Sequence, residues 1–208
     1  MSQDKSNRQT PEYWNERYGG EDYEFGLEPN AYLRSQAHRL RPGMSAFVPG
    51  DGEGRNGVWL AQQGLHVTTL DLSEVAIAKA RRLAAERGVT IDAQQGDLKT
   101  WQWPAGRFDL VASLYLHFDA DLRQQMHRRM LAALRPGGLL IIEGFHPYRF
   151  GPAGRPGVLG RQFTPELLRE DFAAAEELEL EETTVTLAEG RSHVGEARVV
   201  RGVFRRAQ

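Results

Sequence analysis

A glycine-rich turn in the first third of the chain has residue types that could bind a cofactor. Residues Gly52 to Gly57 have the spacing G-x-G-x-x-G, Gly50 lies just upstream, and Asp71 follows Gly52 by about twenty residues. Glycines let backbone N–H groups approach a ligand, and the start of a helix suits a carboxylate or phosphate group. A carboxylate at the end of the next strand suits ribose hydroxyl groups. The spacing therefore predicts a site for a nucleoside-type cofactor.

Two cofactors are compatible with this spacing. Taken alone, the turn and Asp71 satisfy the dinucleotide fingerprint and favour NAD. Residues 1–43, however, contain two predicted helices before the first strand, an arrangement often found in methyltransferases. A second acid, Asp97, follows the third predicted strand and has no role in an NAD site. These features favour S-adenosylmethionine.

The elements that position these residues alternate between strands and helices. Short apolar or alternating runs predict strands at residues 46–48, 65–71, 89–93, 108–116, 139–142, 179–187 and 193–204. Helices are predicted from the Thr10-Pro11 start, around residues 31–40, from residue 57, after a Ser73 cap, over residues 119–134 and from the Thr164-Pro165 start. A tight turn is predicted at residues 135–138.

This order predicts an α/β fold with a doubly wound, seven-stranded, mostly parallel sheet and an antiparallel pair of C-terminal strands. The 208 residues are expected to form a single domain. Within it, residues 1–43 are predicted to be a helical lid and residues 44–143 the cofactor-binding core. Residues 144–163 are predicted to be a loop over the active site, and residues 164–208 a helix followed by the antiparallel strands.

Composition excludes several classes of protein. Lysine and arginine number 26 against 28 aspartate and glutamate residues, so no basic excess favours a nucleic-acid partner. The chain has no cysteine, and its histidines lack a metal-ligand spacing, so no metal is expected. The polar N-terminal residues and the lack of a long apolar run predict a cytoplasmic protein without a membrane partner. We expect a monomer or homodimer acting on a small molecule.

The order of elements resembles that of class I S-adenosylmethionine-dependent methyltransferases over nearly the whole chain. Within that group, Gly50 to Asn56 (GDGEGRN) resembles the GCGEGRN turn of the tellurite-resistance (TehB-type) and thiopurine methyltransferase-like branch. The segments at residues 23–30 (YEFGLEPN) and 189–193 (EGRSH) also have counterparts there.

The resemblance implies a role for each matching position. It implies that Gly50, Gly52 and Gly54 line the methionine part of S-adenosylmethionine, whose product is S-adenosylhomocysteine. It implies that Asp71 accepts from the ribose hydroxyls and that Leu72 packs on the adenine. It implies that Asp97 accepts from the adenine amino group, with Leu98 on the ring face, and that Ser113 lies beneath the sulfonium. The cofactor site also includes the neighbours of these residues, which are Arg55, Asn56, Ser73 and Gly96.

The chain departs from the family pattern at three positions. Val48 occupies the place of an acid, Pro49 lacks an N–H, and Asp51 replaces a cysteine or small residue. We hypothesise that Asp51 substitutes for the missing acid in contacting the methionine amino group.

The residues that contact the methyl acceptor are harder to predict. His117 and Tyr115 follow the central strand at its carboxyl end, where ligands of such sheets bind, and they are the candidate catalytic residues. His117 could equally be a hydrogen-bonded helix start, and Tyr115 could face the core. An aromatic lid is predicted from Tyr13, Trp14, Tyr18, Phe25 and Tyr32. A contact with an anionic acceptor is predicted from His146, Tyr148 and Arg149, and a cover near the adenine from Trp101 and Trp103.

The predicted function is methyl transfer to a small molecule, which could be a thiol, a tellurite- or selenite-like oxyanion or a small metabolite. No Asn-Pro-Pro-Tyr-like segment follows the central strand, which argues against methylation of adenine N6 or glutamine amides. A non-catalytic S-adenosylmethionine-binding protein is the first alternative. An NAD-dependent oxidoreductase is the second, although the chain lacks a Tyr-x-x-x-Lys motif.

Overall fold

The computed structural model describes residues 10–147 and 162–208. The helices of this part are α1 (Pro11–Tyr18), α2 (Ala31–Ser35), α3 (Arg55–Gln62), α4 (Glu74–Glu86), α5 (Ala120–Ala133) and α6 (Pro165–Asp171), with a 3-10 turn at Gln36–Arg39. The strands are β1 (Ser45–Pro49), β2 (His66–Asp71), β3 (Asp92–Gln95), β4 (Phe108–Leu114), β5 (Leu134–Phe145), β6 (Ala175–Glu189) and β7 (His193–Arg206).

The strands form one seven-stranded sheet in the order β3-β2-β1-β4-β5-β7-β6. Strands β1 to β5 are parallel, and β7 runs antiparallel between β5 and β6. The strand order reverses between β1 and β4, so the connections that follow these two strands diverge and leave a crevice between them. The predicted fold class is confirmed.

Alternate side chains of each central strand enter two separate cores, one on each face of the sheet. In β1, Phe47 packs into the core that receives Met126 of α5, whereas Ala46 and Val48 pack into the core that receives Leu60 of α3. Strands buried on both faces must be apolar throughout, which explains the apolar runs of β1 and β4.

Helix starts agree with the sequence prediction. Thr10, Ser73 and Thr164 each accept a hydrogen bond from the backbone N–H three residues later and so cap α1, α4 and α6. Ser73 also donates to the side chain of Asn15, at 2.7 Å, and thereby ties α1 to the start of α4.

Several predicted boundaries were wrong, and strand pairing explains three of them. Strand β3 covers residues 92–95 rather than 89–93, because it pairs with residues 68–71 of β2. The predicted turn at residues 135–138 lies inside β5, where Leu134 already pairs with Phe108 and a register shift follows. The predicted loop from residue 144 begins later, because Gly144 and Phe145 still pair with β7.

Candidate cofactor and acceptor site

A cavity of about 340 Å³ opens where β1 to β5 end. Parallel strands bring their carboxyl ends to one edge, so residues distant in sequence meet there. The sequence-predicted site residues that line it are Gly50, Asp51, Arg55, Asn56, Asp71, Leu72, Gly96, Asp97, Leu98, Tyr115 and His117.

The glycine turn is held in a left-handed conformation by backbone hydrogen bonds. Gly50 and Gly52 have φ angles of 65° and 60°, which favour glycine. Gly50 N–H donates to the carbonyl of Leu70, at 2.7 Å, and Gly52 N–H donates to Asp71 Oδ2, at 2.9 Å. The turn therefore presents bare backbone to the cavity at Gly50, and Asp71 fixes its shape.

Two carboxyl groups lie at the ends of adjacent strands. Asp71 ends β2, and its Oδ1 accepts from Ser73 N–H at 2.9 Å. Burial raises the pKa of Asp71 to about 6, although its backbone hydrogen bonds act in the opposite direction. Asp97 follows β3, and its Oδ1 accepts from Lys99 N–H at 2.8 Å. Both carboxylates line the cavity and keep lone pairs that can accept from ligand hydroxyl or amino groups.

Four predicted cofactor residues do not line the cavity. A Cβ at Gly52 would lie 2.7 Å from the Tyr18 hydroxyl, and one at Gly54 would lie 2.7 Å from Ala80 of α4. These two glycines therefore allow the turn to pack against helices. Ser73 serves as the cap of α4, and Ser113 is fully buried in β4.

The polar side chains of the glycine turn hold the N-terminal segment. Glu53 accepts from the backbone N–H of Glu24 at 2.7 Å, and its other oxygen pairs with Lys79 at 2.8 Å. Asn56 accepts from the backbone N–H of Asn30 at 2.9 Å. Glu53 and Asn56 thereby fix residues 24–30, which lead back to α1 and its cavity-lining rings.

Arg55 connects the glycine turn and residues 24–30 to the hairpin formed by β6 and β7. Its guanidinium donates to the Glu28 carbonyl at 3.2 Å and to Glu189 at 2.9 Å. Glu189 also pairs with His193 Nδ1 at 3.1 Å. The predicted cofactor residues Arg55 and Asn56 thus line the cavity while their side chains hold other parts of the chain.

Asp51 faces the start of α3. Its Oδ2 accepts from Gly57 N–H at 3.0 Å, in place of the cap that Gly54 cannot provide. Within the described residues, its Oδ1 is buried and has no hydrogen-bond partner. Burial raises the pKa of Asp51 to about 7, and the nearby charge of Asp71 acts in the same direction.

Seven of the rings that line the cavity form a continuous chain, which we call the aromatic belt. Successive ring centroids lie between 4.6 and 6.3 Å apart. In order, the belt consists of Trp14, Tyr18, Phe25, His193, Tyr115, Phe145 and His117. Of the predicted lid aromatics, Tyr13, Trp14, Tyr18 and Phe25 line the cavity. Tyr32 does not, because it is buried in the core and donates to Glu179 at 3.0 Å.

His117 forms backbone hydrogen bonds through both ring nitrogens. Its Nδ1 lies 3.0 Å from the Tyr115 carbonyl, and its Nε2 accepts from Phe145 N–H at 3.0 Å. Acceptance at Nε2 requires that this nitrogen carry no proton. His117 therefore ties the ends of β4 and β5 together and offers its ring, rather than a proton-accepting nitrogen, to the cavity.

Tyr115 has a strained backbone. Its φ of 54° is the one positive value among non-glycine residues in the described ranges, and such strain costs about 1–3 kcal/mol. A hydrogen bond from Tyr115 N–H to the Glu143 carbonyl, at 2.7 Å, holds this conformation. Strain of this kind often occurs at functional sites.

Sequence reasoning missed Phe145 and His193 as lining residues. Both lie at ends of long strands, which is a weak signal without knowledge of strand register.

His146 lines the cavity and lies 3.4 Å from Glu182. Tyr148 and Arg149, predicted beside it, lie outside the described residues. Trp101 and Trp103 do not line the cavity but pack on Phe47 beneath it.

Among residues 10–147 and 162–208, no group of three or more histidine, cysteine, aspartate or glutamate side chains could hold a metal ion. Across the same ranges, every helix is too short or too polar to cross a membrane.

Sequence comparison identifies a methyltransferase domain at residues 49–138. The chain is 32% identical to a probable thiol methyltransferase 2 of Arabidopsis thaliana over 48% of this chain and 46% of that protein. It is also 32% identical to a thiopurine S-methyltransferase of Nitrosospira multiformis over 60% of this chain and 58% of that protein. The chain thus spans about half the length of the curated relatives that it matches.

Structural comparison gives the same fold. TehB from Haemophilus influenzae superposes with a TM-score of 0.69 and 19% identity, covering 94% of this chain and 66% of that one. A structure described for the conversion of a disulfide bond into a thioacetal group during echinomycin biosynthesis has a TM-score of 0.76 and 22% identity, covering 95% and 92%. Residues 49–138 thus match a methyltransferase domain, and the chain resembles class I S-adenosylmethionine-dependent methyltransferases of the TehB-type and thiopurine methyltransferase-like branch.

Proposed function

We propose that this protein transfers the methyl group of S-adenosylmethionine to a small molecule. The observation that carries the proposal is the meeting of Gly50, Asp71 and Asp97 at one cavity, beside the aromatic belt. Bound S-adenosylmethionine would supply a methyl group already activated on a sulfonium. The protein then has to orient the acceptor and exclude water from the reacting atoms.

Different residues would bind different parts of S-adenosylmethionine. Asp71 would accept from ribose hydroxyls and Asp97 from the adenine amino group, with Leu72 and Leu98 packing on the ring. The remaining predicted cofactor positions, Gly52, Gly54, Ser73 and Ser113, would act by shaping the site, because they have no surface on the cavity.

The contact of Asp51 with the methionine amino group is also a proposal. It predicts that Asp51→Asn weakens binding of S-adenosylhomocysteine but not of 5′-methylthioadenosine, which lacks that amino group.

For the acceptor, the aromatic belt favours a planar aromatic thiol or hydroxyl compound. The two arginines that line the described cavity are already paired, Arg17 with Glu24 at 3.2 Å and Arg55 with Glu189 at 2.9 Å. A tellurite- or selenite-like oxyanion would lose its hydration without gaining an uncommitted arginine from this part of the chain. Aromatic rings, by contrast, stack favourably on other rings. The names of the two curated relatives, both sulfur methyltransferases, support a thiol.

The chemical step conserves atoms and charge. The acceptor sulfur or oxygen would lose its proton to bulk water before it enters the cavity, and its lone pair would then form a bond to the methyl carbon. Bound S-adenosylmethionine would supply the methyl carbon and keep the electron pair of the broken carbon–sulfur bond, and so would leave as the neutral thioether S-adenosylhomocysteine. The aromatic belt and residues 10–30 would keep bulk water away from this exchange.

Calorimetric titration with S-adenosylmethionine, S-adenosylhomocysteine and NADH tests the cofactor. We expect binding of the first two and its loss in Asp71→Ala, whereas a preference for NADH would contradict the proposal. Formation of S-adenosylhomocysteine is then measured with thiophenol, 2-mercaptoethanol, selenite and tellurite as acceptors. Turnover of thiophenol above 2-mercaptoethanol supports the aromatic acceptor. Cofactor binding with no turnover of any acceptor would favour the non-catalytic alternative.

A further inference from the structure

The backbone of Glu24, in the segment that follows α1, is held from two sides. Its N–H donates to Glu53 of the glycine turn at 2.7 Å. Its carbonyl accepts from the N–H of Arg191, in the turn between β6 and β7, at 3.2 Å. The two segments are in close contact here, because a Cβ at Gly190 would clash with the Glu24 carbonyl oxygen. Glu24 is therefore a fixed point between the glycine turn and the C-terminal hairpin.

The side chain of Glu24 joins three other side chains in a cluster, which we call the Glu24 clamp. Glu24 is 7% exposed. Its Oε2 accepts from Arg191 Nε at 2.6 Å, and its Oε1 lies 3.2 Å from Arg17 Nε. The Ser192 hydroxyl donates to Glu24 Oε1 and accepts from Arg17 Nη2 at 3.0 Å. The clamp thus consists of Glu24, Arg17, Arg191 and Ser192, and the chain itself supplies all of these groups.

Arg17 connects the clamp to the cavity. It lies in the last turn of α1 and lines the cavity. Its guanidinium carbon lies 5.6 Å from the ring centroid of Trp14 and 5.3 Å from that of Phe25, which are the distances of cation–π contacts. It also donates to the Tyr13 hydroxyl at 3.1 Å. The clamp therefore fixes three rings that line the cavity.

The connection between α1 and Glu24 is short and exposed. It includes Gly19 and Gly20, whose backbone rotates with little restriction. Besides the clamp, α1 is attached to the core by the hydrogen bond between Ser73 and Asn15 and by the buried Tyr18. A short helix with few attachments opens at a lower free energy than the core of a protein does.

We propose that Glu24 is a positioning residue that holds α1 closed over the cavity, and that S-adenosylmethionine and S-adenosylhomocysteine enter and leave when the Glu24 clamp opens. This inference rests on the proposed function. Hydrogen bonds to a charged group are the stronger class, and here two arginines and a hydroxyl group share one carboxylate. A change of the Glu24 side chain leaves its backbone contacts in place. Such a change should therefore release α1 without releasing residues 24–30.

Stopped-flow tryptophan fluorescence measures the association and dissociation rate constants of S-adenosylhomocysteine with the full chain, because Trp14 lines the cavity. Glu24→Gln keeps the size of the side chain and removes its charge. We expect both rate constants to rise about tenfold and the affinity to change by less than about threefold, because a closed wall limits entry and exit alike. A residue that only contacted the ligand, or only stabilised the fold, would not make association faster.

Ser192 and Glu28 supply the comparison variants. Ser192→Ala removes the hydroxyl group that bridges Arg17 and Glu24 and should raise both rate constants about threefold, whereas Ser192→Thr keeps the hydroxyl group and the original rate constants. Ser192→Ala combined with Glu24→Gln should exceed Glu24→Gln alone by little, because both act on one cluster. Glu28→Gln is the matched control, since the exposed Glu28 side chain pairs with Arg34 at 3.6 Å, outside the clamp. Its rate constants should stay unchanged.

Hydrogen exchange measures the opening of α1 in the absence of any ligand. In Glu24→Gln, the backbone amides of α1 should exchange about tenfold faster than in the unmodified protein. The amides of the central strand β4 exchange only through global unfolding and should be unaffected. Glu28→Gln should leave both segments unchanged.

The outcomes separate the two proposals. Unchanged exchange of α1, unchanged or slower association in Glu24→Gln, or equal acceleration in Glu28→Gln would each overturn the inference. Faster exchange of α1 with unaltered rate constants would also overturn it, since α1 would then open without affecting the ligand. Failure of the unmodified protein to bind S-adenosylhomocysteine would instead overturn the proposed function, and hydrogen exchange would still decide whether Glu24 holds α1.

Discussion

Asp51 is a buried carboxyl group whose ionisation should destabilise the free protein. Its pKa is raised to about 7 from an ordinary value of 3.8, chiefly by burial. At 1.36 kcal/mol for each pKa unit, keeping Asp51 ionised above pH 7 costs the native state about 4 kcal/mol. The native state holds this proton to a higher pH than the unfolded chain does. The contribution of Asp51 to stability is therefore lost as pH rises from about 4 through about 7.

Asp51→Asn removes this charge and keeps an oxygen for Gly57 N–H. The charged or titratable groups around the site are Asp71 from β2, Arg55 from α3 and Tyr18 from α1, and all three remain. The variant should equal the unmodified protein in stability near pH 3 and exceed it by up to about 4 kcal/mol near pH 8.

Urea denaturation at three pH values measures this difference. Asp109→Asn is the control with the opposite sign. Although partial burial opposes it, hydrogen bonds from Ser45 and the charge of Arg135 lower the pKa of Asp109. That substitution should therefore destabilise the protein most at neutral pH and least in acid. If Asp51→Asn changed stability equally at all three pH values, the reasoning from a buried charge would be refuted.

Three further predictions concern Asp71, Gly54 and Ser73. Asp71→Ala should weaken S-adenosylhomocysteine binding about thirtyfold in calorimetry, because hydrogen bonds to a charged group are lost. Unchanged affinity would contradict the proposed contact between Asp71 and the ribose hydroxyls. Gly54→Ala should cost more than about 2 kcal/mol in urea denaturation, because its Cβ would lie 2.7 Å from Ala80 at a φ of 90°. Gly88→Ala, with a φ of 67° and open space around it, should cost only about 1 kcal/mol, and equal losses would contradict the packing argument. Ser73→Ala should cost about 1 kcal/mol through loss of the α4 cap, and Ser73→Thr, which keeps the hydroxyl group, should retain most of that stability.

Local signals predicted most of the elements. Hydroxyl residues before Pro11 and Pro165 mark helix starts because they satisfy backbone N–H groups within the same turn. Apolar runs mark β1 and β4 because both faces of those strands are buried. The errors at β3 and at the start of β5 share one cause. Strand ends depend on pairing with a neighbour, which a single segment does not encode.

The sequence by itself determined which residues form the proposed cofactor half of the site. The glycine turn and the two acids are local features, and the alternation of strands and helices brings the ends of parallel strands to one edge. The acceptor half was decided by tertiary structure, because its rings come from α1, β4, β5 and β7 and meet only through strand register and the antiparallel insertion of β7. The residue type likewise did not determine the orientation of individual side chains. Asp51 caps a helix, Tyr115 buries its hydroxyl group, and His117 forms backbone hydrogen bonds through both ring nitrogens. Each of these orientations depends on the packing of neighbouring elements, which the residue type does not specify.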